Sequence, residues 1–286
     1  MPDSHNNFLN LPAALSDPAR ARYAIIPIPY EGTVSYKAGT VGGPAAIIDA
    51  SKQVEKLDEE LLREITAPGI ATYPAVKAAR DPLAQMKRIA AAVGPIVAAG
   101  QFPLALGGEH SISVPIIEAV ARHHGPISVL QIDAHADLRD VYSGTKHSHG
   151  AVMRRVLEIT GSICQVGIRS FSQEELEQCR PQVDRFITPA YIQSHPRWTQ
   201  RVLRMLGPKV YITVDIDGLD PALAPGTGTP EPGGLTWEQV TLLLRQVCAK
   251  RQVVGADIVE VRPIPPNHIT EYLAARLACK IIAYTQ

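Results

Sequence analysis

The stretch Ile127-Ser128-Val129-Leu130-Gln131-Ile132-Asp133-Ala134-His135-Ala136-Asp137 passes directly from a short apolar run into ionisable residues at every second position. Alternate residues of an extended chain point to one side. Asp133, His135 and Asp137 can therefore converge on one point, and the small Ala134 and Ala136 leave room for them. A polar loop with a helix cap explains Asp133 alone. It does not explain three ionisable groups beside a buried strand, because unpaired carboxylates are costly to bury. The run predicts a strand whose carboxyl end carries a site.

Working outward, apolar runs recur at Tyr23–Ile28, Phe102–Leu106, Ile163–Val166, Val210–Val214 and Val253–Ile258, beside Ile127–Ile132 itself. They are apolar on both faces, the pattern of parallel strands covered by helices on each side. Helical segments alternate with them. Asp81-Pro82 offers an N-cap and a first-position proline, and Gly100 a stop. Ser172–Glu175 and Thr236–Gln239 fit capping boxes, and a last helix is predicted over Ile269 to Ala283. This order predicts an α/β fold, a three-layer α/β/α sandwich around a mainly parallel sheet. No linker, internal repeat or low-complexity segment interrupts residues 1–286, which read as one catalytic domain with 1–20 as a flexible or interface segment.

In such sheets ligands bind beyond the carboxyl ends of the strands. Gly107-Gly108-Glu109-His110-Ser111 follows one strand, and its glycines turn the chain so that His110 stands at the strand end. Taken alone, that histidine is more simply structural. Asp215-Ile216-Asp217 follows another strand, and carboxylates this close stay ionised cheaply only with a cation between them. Asp220-Pro221, just beyond, reads as turn chemistry. Together His110, Asp133, His135, Asp137, Asp215 and Asp217 supply four carboxylates and two imidazoles. Four negative charges balance two divalent cations. Hard oxygen donors with some imidazole suit Mn(II), with Co, Ni, Fe or Zn as substitutes. Two such ions, typically about 3.5–4 Å apart, lower the pKa of a shared water and fix its line of attack, which is hydrolase chemistry.

Composition excludes other classes. At 286 residues the chain can bury a substantial core in one large domain or two small ones. The 28 Lys+Arg balance the 28 Asp+Glu, which argues against a nucleic-acid or anionic-membrane partner. Cys164, Cys179, Cys248 and Cys279 form no CxxC pair, against a disulfide framework or zinc ribbon. The polar N-terminus is not a secretory signal. The most apolar region, Ile89 to Leu106, is broken by Gly94, Pro95, Gly100 and Pro103 and cannot span a membrane. A cytoplasmic protein acting on a small molecule is expected.

At this point GGEHS (107–111), DAHAD (133–137) and VDIDGLDP (214–221), in this order and spacing, resemble the three signatures of the ureohydrolases, the family of arginase and agmatinase. The resemblance runs from about Pro29 to the C-terminus. It implies the arginase–deacetylase-like fold and a Mn pair, with His110, Asp133, Asp137 and Asp215 on one ion and Asp133, His135, Asp215 and Asp217 on the other. Glu109 stands where the family usually has Asp. That position is not a ligand, so the departure bears on the geometry around the ligands.

His149, in His147-Ser148-His149-Gly150, resembles the family's mobile proton-transfer histidine, against a reading as a surface-loop residue; His147 reads as incidental. Glu260, in Glu260-Val261-Arg262-Pro263, resembles the carboxylate that holds the substrate guanidinium. Arg262 is unusual there and could compete for it. The implied chemistry pairs Glu260 with the planar guanidinium and directs a metal-bridging hydroxide at its carbon. Asp137 orients that hydroxide and passes its proton towards the leaving amine, and His149, titrating near neutrality, completes the relay. Urea and a primary amine result. The resemblance also implies a homotrimer or homohexamer.

Asp140 to Gly150 lacks the arginase pattern that grips the amino acid's α-amino and α-carboxylate groups. Asp220 to Pro230 with Gly233-Gly234-Leu235-Thr236, and the early Pro29-Tyr30-Glu31-Gly32-Thr33 and Gly42-Gly43-Pro44, look like the agmatinase branch. The preferred reaction is therefore agmatine plus water to putrescine and urea, in polyamine biosynthesis. Glu231 is the candidate for the distal ammonium, against a reading as an exposed loop glutamate. Guanidinobutyrate, guanidinopropionate, guanidine, arginine and formimidoylglutamate are the alternatives, and acidic ones would need a base such as Arg169 or Lys146. Gly226-Thr227-Gly228-Thr229 has no Lys-Ser/Thr follow-up and opens no helix, so it is not a phosphate loop. Histone-deacetylase-like amidohydrolases resemble this fold but keep a single zinc, whereas His110, Asp137 and Asp217 are all retained. A non-catalytic binding or assembly paralogue should have lost ligands, and none of the six is missing.

Overall fold

Alternation with period two runs through every strand and decides which helices each side chain meets. In the computed structural model, which describes residues 6–286, seven strands form one sheet: β1 Tyr23–Ile28, β2 Ile70–Thr72, β3 Phe102–Gly107, β4 Ser128–Ile132, β5 Ile163–Val166, β6 Lys209–Asp215 and β7 Gln252–Val259. Their spatial order is β2-β1-β3-β7-β6-β4-β5, and every pairing is parallel. Ile25, Leu104, Leu130, Ile212 and Ile258 face one core, with helices α1 (Gly43–Ser51), α5 (Trp198–Met205), α6 (Trp237–Lys250) and α7 (Ile269–Thr285). Their neighbours Ala24, Ala105, Val129, Tyr211 and Val259 face the other, with α2 (Pro82–Ala98), α3 (Ser113–His124) and α4 (Val152–Thr160). The three-layer α/β/α sandwich expected from the apolar runs is present.

The punctuation behaves as its chemistry requires. Asp81 Oδ2 accepts the Ala84 N–H at 2.7 Å and starts α2. Thr236 and Gln239 form a reciprocal capping box that starts α6, as Ser172 and Glu175 do for the short helix after β5. The strand β2 and a hairpin pairing Leu57–Asp58 with Arg63–Glu64 were not anticipated, because three- and two-residue strands carry no readable period. Of the segment 1–20, residues 1–5 lie outside the described residues. Phe8, Leu9 and Leu11 are buried in the core, and the Phe8 and Leu9 N–H groups donate to Thr72 Oγ1 and Ser51 Oγ. Among the described residues, no helix is long and apolar enough to cross a membrane.

Because all strands are parallel, their carboxyl ends share one edge of the sheet. Four of them, from β3, β4, β6 and β7, are adjacent in space though far apart in sequence. Gly108 lets the chain pass there: a Cβ at that position would stand 2.1 Å from the Tyr30 carbonyl oxygen.

Candidate metal centre

His110 follows β3, Asp133 follows β4, Asp215 ends β6 and Glu260 follows β7. His110 Nδ1 lies 3.1 Å from Asp133 Oδ2, 3.0 Å from Asp137 Oδ2 and 3.5 Å from Asp215 Oδ2. His135 Nδ1 lies 3.0 Å from Asp217 Oδ2 and 3.7 Å from Asp133 Oδ1. Two potential ligand groups thus share Asp133, one on each of its oxygens. All six residues singled out in the sequence meet here. Asp215 joins the His110 side through Oδ2, while its Oδ1 accepts the Asp217 N–H at 3.0 Å. The β4 and β6 ends touch only because residue 218 is glycine; a Cβ there would lie 2.8 Å from the Asp133 nitrogen.

A row of polar side chains behind the ligands escaped the sequence reading. Gln165, Gln131, Thr213 and Asp257 are lateral partners across β5, β4, β6 and β7, and all are buried. Gln165 donates to Gln131 at 2.6 Å, and Gln131 donates to Asp133 Oδ2 at 2.7 Å. Thr213 donates to Asp257 Oδ1 at 2.6 Å, so its oxygen accepts from His110 Nε2 at 2.9 Å. That bond puts the His110 proton on Nε2 and aims the Nδ1 lone pair at the carboxylates. The available signal was a polar residue two positions before Asp133 and before Asp215, Gln131 and Thr213, each on the same strand face as the ligand it precedes.

Asp133, Asp137, Asp215 and Asp217 are 0, 7, 4 and 2 % exposed. Four carboxylates so desolvated draw in positive charge. Burial and the Asp133 charge hold Asp137 up at about 7. Burial and then Asp217 push Asp215 up as well. Burial opposes charge on His135, yet its bonds to Asp133 and Asp217 carry it up to about 12. His110 Nδ1 is buried with no hydrogen-bond partner, although three carboxylate oxygens lie close by. An orphaned imidazole nitrogen facing a carboxylate cluster fits a divalent cation.

Glu260 and His149 line the same cavity, of about 300 Å³. Glu260 Oε1 accepts the His110 N–H at 2.8 Å, and burial followed by Glu109 pushes its carboxyl well up. Arg262 does not compete for it, since its Nε donates to the Ala38 carbonyl at 2.8 Å. Burial, aided by positive charge on His110 and His135, lowers His149 to about 4, so it is neutral at pH 7 rather than titrating there as the sequence suggested. Arg169 is committed to main-chain carbonyls of Asp217, Glu231 and Pro232 at 2.8, 2.7 and 3.0 Å. Lys146 faces Asp140 at 3.6 Å. Glu231 Oε1 stands 3.9 Å from His135 Nε2. The His147 N–H donates to Thr145 Oγ1.

The arginase family profile matches residues 21–283. The chain is 36% identical over 282 residues to the N(1)-aminopropylagmatine ureohydrolase of Synechocystis sp., covering 95% of this chain and 91% of that protein. It is 36% identical over 246 residues to the agmatinase of Bacillus anthracis, covering 83% and 82%. The crystal structure of agmatine ureohydrolase of Thermoplasma volcanium matches with a TM-score of 0.87 at 34% identity, covering 95% of this chain and 92% of that one. With the parallel sheet, the shared-carboxylate cluster and these matches in agreement, the chain belongs to the arginase family.

Proposed function

We propose that this protein is a metal-dependent ureohydrolase of agmatine and its aminopropyl-extended form, releasing urea and a polyamine. Glu260 carries the reading. It is a carboxylate in the cavity wall beside the metal cluster, and no Lys, Arg or His side chain pairs with it among the described residues. Burial disfavours its ionised form, which a cationic partner would stabilise, and the guanidinium fork meets a carboxylate with two parallel hydrogen bonds.

His110, Asp133, Asp137 and Asp215 would hold one ion, and Asp133, His135, Asp215 and Asp217 the other. When bound, the pair, Mn(II) in our reading with Co, Ni, Fe or Zn as substitutes, supplies the Lewis acidity that makes water nucleophilic at neutral pH. Glu260 orients the guanidinium carbon towards the cluster. Asp137 holds the attacking water by a hydrogen bond and takes its proton towards the leaving amine. His149, neutral in its buried setting, completes that transfer.

The cavity mouth favours an unbranched cationic chain over an amino acid. Tyr36 and Phe171 line it and are 67 and 44 % exposed, leaving room for polymethylene and for an aminopropyl extension. Of the two bases considered for an acidic tail, Arg169 is occupied by carbonyls and Lys146 faces Asp140. One observation favours a guanidino acid instead: Lys37 and Arg139 also line the cavity. Urea release from agmatine, N1-aminopropylagmatine, arginine and guanidinobutyrate, after Mn or Ni reconstitution, separates the readings. We expect kcat/KM for one of the first two to exceed that for arginine and guanidinobutyrate by roughly a hundredfold or more. Preference for a guanidino acid overturns the substrate assignment. We further propose a cytoplasmic homotrimer or homohexamer of single-domain chains acting in polyamine biosynthesis, which sedimentation and fractionation would test.

A further inference from the structure

Thr33 has no part in the chemistry above, yet its hydroxyl joins three groups. His149 Nδ1 lies 2.9 Å from Thr33 Oγ1, and the His149 main-chain N–H reaches the same oxygen at 3.2 Å. Thr33 Oγ1 in turn lies 3.0 Å from Glu109 Oε1. Glu109 is buried and collects four donors: the Gly32 and Thr33 N–H groups on Oε2, both at 2.6 Å, and the Thr33 and Ser111 hydroxyls on Oε1. Four donors on two oxygens is the pattern of an ionised carboxylate, which only accepts.

Hydrogen-bond counting then leaves one arrangement. A hydroxyl has one proton and two lone pairs. The Thr33 proton goes to Glu109, and one lone pair takes the His149 main-chain N–H. The other faces Nδ1, which must carry a proton to be satisfied. The neutral ring so held has its lone pair on Nε2, the nitrogen left free for the cavity that His149 lines. The Tyr142 ring packs edge-on against the imidazole, with centroids 5.2 Å apart, and limits its rotation.

We propose that Thr33, anchored on Glu109, is a positioning residue that locks His149 in the Nδ1–H tautomer and so makes Nε2 the nitrogen that exchanges a proton with the leaving amine. This rests on the proton-transfer role assigned to His149 above. Nε2 takes a proton and returns it to the departing nitrogen, while Nδ1 keeps its own proton throughout.

The test is a long-range 1H–15N spectrum of the full chain loaded with diamagnetic zinc, with His149 assigned from the signal lost in His149→Gln. The native protein should show a protonated Nδ1 and an unprotonated Nε2 on His149. A protonated Nε2 in the native protein overturns the proposal without any variant. Thr33→Val keeps the shape but offers no acceptor, and it should shift His149 towards the other tautomer or a mixture. The same variant should lower kcat by about 10- to 100-fold with KM within about threefold, and Thr33→Ser should restore both. Loss of kcat in Thr33→Val with an unchanged tautomer reduces Thr33 to a structural role and sinks the proposal. The tautomer is read without turnover, so failure of the hydrolase reading shows separately, as native protein that releases no urea.

Discussion

Asp137 and Glu260 both stand on left-handed backbone, at φ 54° and 62°. Such a conformation costs a non-glycine residue about 1–3 kcal/mol and persists where the surroundings over-determine it, typically at functional sites. Asp137 is held by its own carbonyl, which accepts the Met153 and Arg154 N–H groups at 2.9 and 3.2 Å. Glu260 is held by its N–H, which donates to the Gly108 carbonyl at 2.7 Å. The strain aims both carboxylates back over the strand ends. Glu260→Gln keeps this backbone and removes only the charge. It should lower kcat/KM for the guanidinium substrate by at least about thirtyfold while metal content by elemental analysis stays unchanged; near-native kcat/KM would remove Glu260 from guanidinium binding. Replacing Asp133, whose two oxygens face different imidazoles, should instead cost both metals at once. In Asp133→Ala, bound metal should fall from about two ions per chain towards none, and a full complement in that variant would refute the shared-ligand arrangement.

At the scale of elements, the lateral row Gln165–Gln131–Thr213–Asp257 ties β5, β4, β6 and β7 together immediately behind the ligands. Each member is an amide, hydroxyl or carboxylate buried in an otherwise apolar strand, and each buys its place by orienting a neighbour. Thr213 is the member that touches a ligand directly. Thr213→Val preserves volume and β-propensity but removes the acceptor for His110 Nε2, while Asp257 keeps the Tyr211 hydroxyl at 2.7 Å. Metal affinity, measured by competition with a chelator, should weaken by roughly 10- to 100-fold while the circular dichroism spectrum is unchanged. Unchanged affinity would show that the packing of the His110 loop suffices to orient the ring.

For the whole molecule, the site stores its electrostatic tension as bound protons when metal is removed. Asp137 is held at about 7 against its usual 3.8, and His135 at about 12 against 6.5. Both values are raised on folding, so each contributes stability that is complete below the unfolded pKa and is lost as pH rises towards the folded one. His149, lowered to about 4, acts in the opposite sense, but only below its unfolded value of 6.5. From about pH 6.5 to 9 the raised groups therefore decide the sign. Chelator-treated protein should melt at lower temperature at about pH 8.5 than at about pH 6.5, and added metal should restore more at the higher pH. A metal-free melting temperature that rises across this range would contradict the cluster's charge balance. By itself the sequence determined the α/β layering, most strand positions, the helix caps and the six cluster residues, because strand alternation and capping are local rules that span only a few residues. Convergence of His110, Asp133, Asp215 and Glu260 had a legible reason as well, since parallel strands put all their carboxyl ends on one edge. Only the tertiary structure decided the rest. The order β2-β1-β3-β7-β6-β4-β5 makes Gln131, Thr213 and Asp257 neighbours across residues 131 to 257. The turn of Arg262 to Ala38, the commitment of Arg169 to carbonyls and the meeting of Thr33 with Glu109 and His149 likewise depend on loops from separate parts of the chain. No local period encodes them, because hydrogen-bond partners at long sequence separation are chosen by geometry that exists only after the sheet has formed.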